Sequence, residues 1–514
     1  MLWTCLLFPS LPLDVFARAI APDDARPFVV GSGGHYPRVV AANAAARAAG
    51  IRTDQLISSA LALAPELVLR DRDSDAEARA LAQLATMALT FTPMACLAPP
   101  DAIVADIGGS LRLFGGLPRL AARLAGGART LGYAARLGIA PTPGAALLLA
   151  RAGHAQPVTD PAQLSAALAS IPLTLVDFDD ATRATLREAG ITTFGQAAAL
   201  PRDGLARRFG AALVTTLDRA LGRASDPRAS FVPPPRFTSR LELPAPVHDV
   251  EALGFGVQRL VQELTTWLTA RGLGVVRLSL ALAHERYVRQ RGIPETVVPF
   301  ALGAPARMPA HLLGVLRERL ARVALPAAVE AITLASDETA PLAGRNLGLL
   351  PGDDAHAVEI PLLDRLRARL GEEALTRLVP LPEHRPELAM RDAAIAAVGG
   401  ARGQGESLAG GFSRAKARPT RKPSVKPADT SPLPDASRPI WLLAEPQPLA
   451  HLLETQPWVL RDGPERIESG WWDGADVRRD YFIADTPAGE TVWIYRDHRY
   501  GIDDGEWFLH GLFA

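Results

Sequence analysis

A multidomain chain, α/β at its N-terminus, α+β in its middle and β-rich at its end, is what the sequence predicts. Three observations predict it. Strand-like runs alternate with alanine-rich helical stretches over residues 1–160. A second series of strands and helices occupies 245–340. The last 77 residues hold six of the eight tryptophans and three of the six tyrosines. With 514 residues, 48% hydrophobic and 21% charged, the chain can bury several cores.

The N-terminal strands read WTCLLF, PFVVG, ELVLR, AIVADI and AARLGIA, and residues 1–164 are expected to form one α/β domain. The opening MLWTCLLFPSLPL lacks a basic stretch and a small-residue cleavage site, so it reads as a first strand rather than a signal peptide. Short helices follow over 165–237: ATRATLREAG, ITTFGQAAALP and GLARRFGAALVTTLDRALG, with Gly190 and Pro201 at the expected stops. The run FVPPPRF then marks a boundary. Within 238–343 the expected order is helix 251–271, strand 274–283, strand 296–300, helix 309–323 and strand 328–335, with the helices on one face of a sheet. Residues 344–390 are an extension. Residues 391–437 form a Gly/Pro/Ser/Ala linker too poor in large apolar side chains to fold alone. Between 402 and 426 this linker carries seven Arg and Lys against Glu406. Residues 438–514 close the chain as a compact β module on RRDYFIAD, TVWIYRD and EWFLHGLFA.

Basic and acidic residues number 55 each, so net charge argues neither for nor against a nucleic-acid partner. All three lysines, Lys416, Lys422 and Lys426, lie in the linker. Two cysteines, Cys5 and Cys96, cannot build a disulfide framework or a zinc site alone, which fits a reducing cytoplasm. No run reaches the ~18 apolar residues of a membrane span. A cytoplasmic protein without membrane contact and without a cofactor is expected; no P-loop is present.

The stretch LAPPDAIVADIGGSLRLFGG, residues 97–116, reads as a strand with carboxylates at Asp101 and Asp106, closed by turn signals. Around it a resemblance emerges. LREAGITTFGQAAALPRDGLARRFGAALVTTLDRALG resembles the thumb helices of Y-family translesion DNA polymerases. RVVAANAAARAAGIR resembles their fingers, and GIAPTPGAALLLARAG the palm segment after the catalytic strand. The ending GPERIESGWWDG, RRDYFIA and GEWFLHGLFA is similar to that of ImuB proteins, the polymerase-like subunits of bacterial mutagenesis cassettes.

The resemblance implies a palm, fingers, thumb and little finger plus a β-rich C-terminal module. It also locates the polymerase site. The family's first-strand Asp falls around Phe8–Ser10, where no carboxylate stands, and its Ser-x-Asp-Glu run falls on Pro99-Pro100-Asp101-Ala102. Asp101 is the one remnant of the metal set, and Asp106 matches a structural Asp. The fingers Tyr and Arg positions read Ala44 and Arg47, so Arg47 is the one nucleotide-binding remnant. The palm lysine is replaced within Pro143-Gly144-Ala145-Ala146, and the thumb's phosphate-binding Gly-x-Gly loop reads Asp177-Phe178-Asp179-Asp180. Modest, sequence-independent DNA contact is expected from Arg202, Arg207 and Arg208 on the thumb and from Arg277, Arg286, Arg289 and Arg291 on the little finger. Solvated helix arginines are the alternative for the first three.

Residues Asn346-Leu347-Gly348-Leu349-Leu350 match, degenerately, the peptide that bacterial proteins insert into the sliding clamp: an amide head and two terminal apolar side chains. Trp471, Trp472, Arg478, Arg479 and Trp507 are expected at a partner surface beside an aromatic core. By the resemblance, the partners are a RecA-like accessory protein and an error-prone replicative-type polymerase. The expected function is a non-catalytic adaptor in DNA-damage-induced mutagenesis. Two alternatives stay open, an active low-fidelity polymerase and a damaged-DNA-binding protein without a clamp role.

Overall fold

The computed structural model describes residues 1–18, 26–285, 292, 294–342, 355–394, 438–449, 458–498 and 506–513. They fall into two units, Met1–Leu370 and a second from Gly371 onward.

The first unit is organised on a four-stranded sheet of order β5-β6-β1-β7, with β1 Trp3–Leu7, β5 Ala95–Ala98, β6 Ala102–Asp106 and β7 Arg136–Ala140. β1 runs antiparallel to both neighbours, so Leu7 sits opposite Ala102 on one side and Arg136 on the other. Successive residues of β1 point to opposite faces. Leu2 and Leu6 face helices α4 (Ser74–Ala88) and α5 (Leu117–Thr130), whereas Trp3, Cys5 and Leu7 face α6 (Pro143–Ala152). Gly138 in β7 permits that second packing, because a Cβ there would lie 2.2 Å from the Ala146 carbonyl oxygen.

The fingers-like part is a small sheet of order β3-β2-β4 (Val39–Ala42, Phe28–Gly31, Val68–Asp71), with α1 (Leu11–Ala17) against β2 and β3. Helices α2 (Ala44–Ala48) and α3 (Ile57–Leu63) supply Ala46, Ile57 and Ala60 to its core. The thumb-like part contains α7 (Leu164–Leu168), α8 (Asp180–Glu188), α9 (Phe194–Ala198), α10 (Arg202–Phe209) and α11 (Ala211–Ala220). Its Leu164, Phe194, Leu205 and Leu217 continue the α6-side core, so thumb and palm share one hydrophobic body. Gly190 ends α8 region in the left-handed conformation, and Pro201 directly precedes α10, as the stop signals imply.

The little-finger-like part is an antiparallel sheet of order β10-β9-β11-β8: β8 Thr238–Val247, β9 Leu273–His284, β10 Glu295–Ala306 and β11 Val329–Pro341. Helices α12 (Gly254–Arg271) and α13 (Pro309–Leu320) cover one face, and α14 (Ala355–Leu370) packs on β10 and α13. The sequence analysis missed β8, reading its neighbourhood as a boundary. An edge strand tolerates Pro244 and Pro246 because the N–H groups they lack are not all needed for pairing. The palm and little finger meet through a buried polar knot. Arg18, 5% exposed, pairs with Glu263, 2% exposed, at 2.5 Å. Gln83 donates to Glu263 at 2.7 Å and to Ser239 at 2.9 Å, and Arg18 donates to the Tyr133 hydroxyl at 2.9 Å.

The second unit carries a five-stranded antiparallel sheet of order β14-β18-β17-β16-β15 (Trp441–Pro448, Trp507–Leu512, Thr491–Asp497, Val477–Asp485, Val459–Ser469). The expected β module is therefore present as a separate sheet. Its boundary differs from the expectation. Residues 371–390 were expected to extend the clamp peptide and 391–394 to begin the linker. Instead β12 (Thr376–Pro380) and β13 (Met390–Ala394) form a hairpin that belongs to this unit. The reason is ionic. Arg385, 4% exposed, donates to Glu383 at 2.8 Å and to Asp473 at 2.6 Å, and Arg479 reaches Glu387 at 2.9 Å.

Candidate functional site: the palm strands and their flanks

β1 and β6 bring the residues around Phe8 and Asp101 together, where the resemblance places a polymerase centre. The Phe8 N–H donates to the Asp101 carbonyl at 2.8 Å, so the Phe8-Pro9-Ser10 turn lies against Asp101 with no carboxylate of its own. Burial raises the Asp101 carboxyl above its ordinary value; the positive charge of Arg151 opposes this, while Asp177 and Glu77 add to it. Arg151 comes from the end of α6 and donates to Asp177 at 2.7 Å and to the Leu175 carbonyl at 3.0 Å. A guanidinium thus stands in the field of the one carboxylate retained. Among the described residues, no three His, Cys, Asp or Glu side chains converge to hold a metal ion.

Asp106 lies at the other end of β6, five residues on and about 16 Å away at ordinary strand rise. Its carboxylate accepts from the Gly108 N–H at 3.0 Å and closes the turn there. Cys5 is buried in the palm core, and that burial pushes its thiol up to about 12. The Arg47 guanidinium folds back onto the Ala42 carbonyl, and Ala44 beside it offers no polar group.

In the thumb the three aspartates are all engaged by their own chain. Asp179 caps α8, accepting from the Thr182 N–H at 2.7 Å and its hydroxyl at 2.8 Å. Those hydrogen bonds hold its carboxyl below the ordinary range. Asp180 pairs with Arg183 at 3.0 Å, and Asp177 with Arg151. The first turn of α8, where a helix could receive a phosphate, is filled by an internal carboxylate.

The expected DNA-contacting arginines divide. Arg202 is paired with Asp218 and is not free for a phosphate. Arg207 and Arg208 are exposed at the end of α10, the latter over the Phe209 ring at 5.5 Å. Arg277 lies on the uncovered face of the little-finger sheet, 3.5 Å from Glu338, while Arg240 on that face pairs with Glu242 at 2.6 Å. Arg286, Arg289 and Arg291, and the peptide Asn346–Leu350, lie outside the described residues.

The aromatic module also divides. Trp471 and Trp472 are 75% and 57% exposed and meet edge-on at 4.7 Å. Arg478 is exposed. Arg479 and Trp507, expected at the partner surface, turn inward: Arg479 lies over the Tyr495 ring at 4.7 Å, and Trp507 packs on Phe482 at 5.3 Å. Strand alternation sets this, since Arg479 and Tyr481 share a face on β16. Sequence reasoning missed Arg151 and Arg385 as organising residues; their partners Asp177 and Asp473 lie far away in sequence, with no local signal to link them.

The impB/mucB/samB family profile matches residues 17–151. Protein ImuB of Caulobacter vibrioides, strain NA1000 / CB15N, is 30% identical over 495 residues, covering 90% of this chain and all of that protein, and the protein of strain ATCC 19089 / CIP 103742 / CB 15 matches equally. Among solved structures, DinB from Sulfolobus solfataricus aligns with a TM-score of 0.37 at 16% identity over 66% of this chain and 98% of that one. The insertion ternary complex of Dbh DNA polymerase aligns at 0.39 and 16%, over 65% and 98%. On the identity and span shared with the Caulobacter proteins, the chain belongs to the ImuB family.

Proposed function

We propose that the protein is a non-catalytic, polymerase-like adaptor in DNA-damage mutagenesis, which brings an error-prone replicative-type polymerase and a RecA-like accessory protein to the sliding clamp. One observation carries the non-catalytic part: Phe8-Pro9-Ser10 brings no carboxylate to Asp101, and its acidic neighbours Glu77 and Asp177 are each paired with an arginine, Arg72 and Arg151. Two-metal phosphoryl transfer needs several carboxylate oxygens around ions about 4 Å apart. The donor set here does not fit that pair, so no chemical step is assigned to it.

DNA contact of modest strength is supported by exposed Arg207, Arg208 and Arg277, and limited by Glu338 and Glu242 on the same sheet face as Arg277. Recruitment rests on the clamp-type peptide 346–350 and on the exposed Trp471, Trp472 and Arg478 of the terminal module. Family membership supports both.

Primer extension by the highly purified protein with Mg²⁺ or Mn²⁺ tests the catalytic half. The expected outcome is no extension above the level of Asp101→Ala. Robust metal-dependent extension that Asp101→Ala abolishes contradicts the adaptor and makes the protein a polymerase.

A further inference from the structure

We propose that the tip of the fingers-like sheet is a stacking site for unpaired bases of single-stranded nucleic acid, with Tyr36 as its platform. The connection from β2 to β3, Ser32–Arg38, is closed at its base. Ser32 N–H donates to the Arg38 carbonyl at 2.8 Å, and Arg38 N–H donates back to the Ser32 hydroxyl at 3.0 Å. Beyond this clasp the chain turns through Gly33 and Gly34, at φ +69° and +87°. A Cβ on either would meet nothing within 4 Å, so backbone conformation, not crowding, calls for glycine there. The turn projects His35 and Tyr36 together. Tyr36 is 77% exposed, and its ring meets that of His35 edge-on at 5.6 Å.

Guanidinium groups and a carboxylate both border the base of the loop, with Asp71 opposite Gly31 on β4. The exposed Arg38 guanidinium donates to the Asp54 carbonyl at 2.5 Å, which brings the turn carrying Arg52 alongside. Arg47 on α2 turns its guanidinium to the Ala42 carbonyl instead. Between the clasp residues the only aliphatic side chain is that of Pro37, so the tip is a poor apolar dock for a protein. An exposed ring beside the exposed Arg38 and Arg52 suits a polyanion that presents π-faces: the arginines answer the phosphates, and a base lies on the phenol ring. Bases inside a duplex are already stacked and offer the ring nothing. The site therefore reads strand state, not sequence.

The inference rests on the reading of the protein as one that works on DNA, and its test separates the two. The full-length protein is titrated against a labelled oligothymidine, a blunt duplex of equal length, and a single strand containing 2-aminopurine, using wild type, Tyr36→Ala and Tyr36→Trp. Tyr36→Ala should lose about tenfold in single-strand affinity, as for one lost base–aromatic stack, and should lose the 2-aminopurine quenching. Duplex binding should be unchanged, and Tyr36→Trp should keep both single-strand signals. Tyr36 belongs to no core, so the variants should melt as wild type does. Single-strand binding that ignores Tyr36, or a loss that affects duplex equally, overturns the stacking site alone. A wild type that binds neither strand form overturns the site and the DNA-binding reading with it.

Discussion

At Asp101 burial and a neighbouring guanidinium act in opposite directions, and burial is the larger effect. A second carboxylate near the same strand end has no such counter-charge. Asp14 in α1 is pushed up to about 6 by burial, with one hydrogen bond from the Ala134 backbone opposing. A carboxyl whose folded value is raised favours folding while protonated; that contribution is present below pH 4 and lost as pH rises through about 6. Asp14→Asn should therefore match wild type near pH 4 and be more stable by about 3 kcal/mol at pH 8, as measured by urea unfolding. A variant with equal advantage at both pH values would rule out ionisation as the cause. His510 behaves with the opposite sign. Burial lowers it to about 4, so it stays neutral where the unfolded chain would protonate, and the terminal module should lose stability as pH falls from about 6.5 toward 4. Circular dichroism in the near ultraviolet, where the Tyr481–Trp493 stack reports, checks this against His510→Gln.

Between elements, close contacts decide more than propensities do. At Gly138 β7 passes under α6 so closely that Gly138→Ala should cost about 3 kcal/mol by overpacking. An unchanged denaturation midpoint would contradict that packing. In the terminal module Arg385 holds the β12–β13 hairpin through Glu383 and Asp473 and lies over the Trp472 ring at 5.7 Å. Arg385→Ala should expose 371–394 to a protease dose that leaves wild type intact. The sequence makes this scale partly legible. β1, β2, β4, β6 and β7, and the little-finger order helix, strand, strand, helix, strand, follow from apolar runs bounded by Gly and Pro. β5 was missed because ACLA is too short to show a period, and β8 because its prolines speak for a boundary. β12 and β13 were missed because their pairing depends on an ion pair 88 residues apart. Among site residues, Asp101 was legible from local motif order, whereas its neighbours Glu77 and Asp177 were not. The pairing of Arg202 with Asp218 and the inward turns of Arg479 and Trp507 were not, because they depend on a remote partner or on which face of a sheet is covered.

Across the whole molecule, the second unit begins at Gly371, so the basic Gly/Pro/Ser run lies between two segments of that unit rather than ahead of it. A fragment 371–514 should unfold cooperatively, whereas 438–514 should lack the partners of Arg479 and Asp473 and melt broadly or not at all. Equal cooperativity in both fragments would contradict that division. In the first unit the thumb shares the palm's core, and the little finger is tied to the palm by the buried pair Arg18 and Glu263. The proposed adaptor role makes its sharpest prediction at the clamp. The most direct measurement is a binding titration of the full-length protein against the sliding clamp of its own source, beside the Leu349→Ala, Leu350→Ala double variant. Saturable binding that the double variant loses, with an unchanged melting profile, is the result expected of an adaptor. No binding by the wild-type protein, under conditions where a known clamp ligand binds, would contradict it.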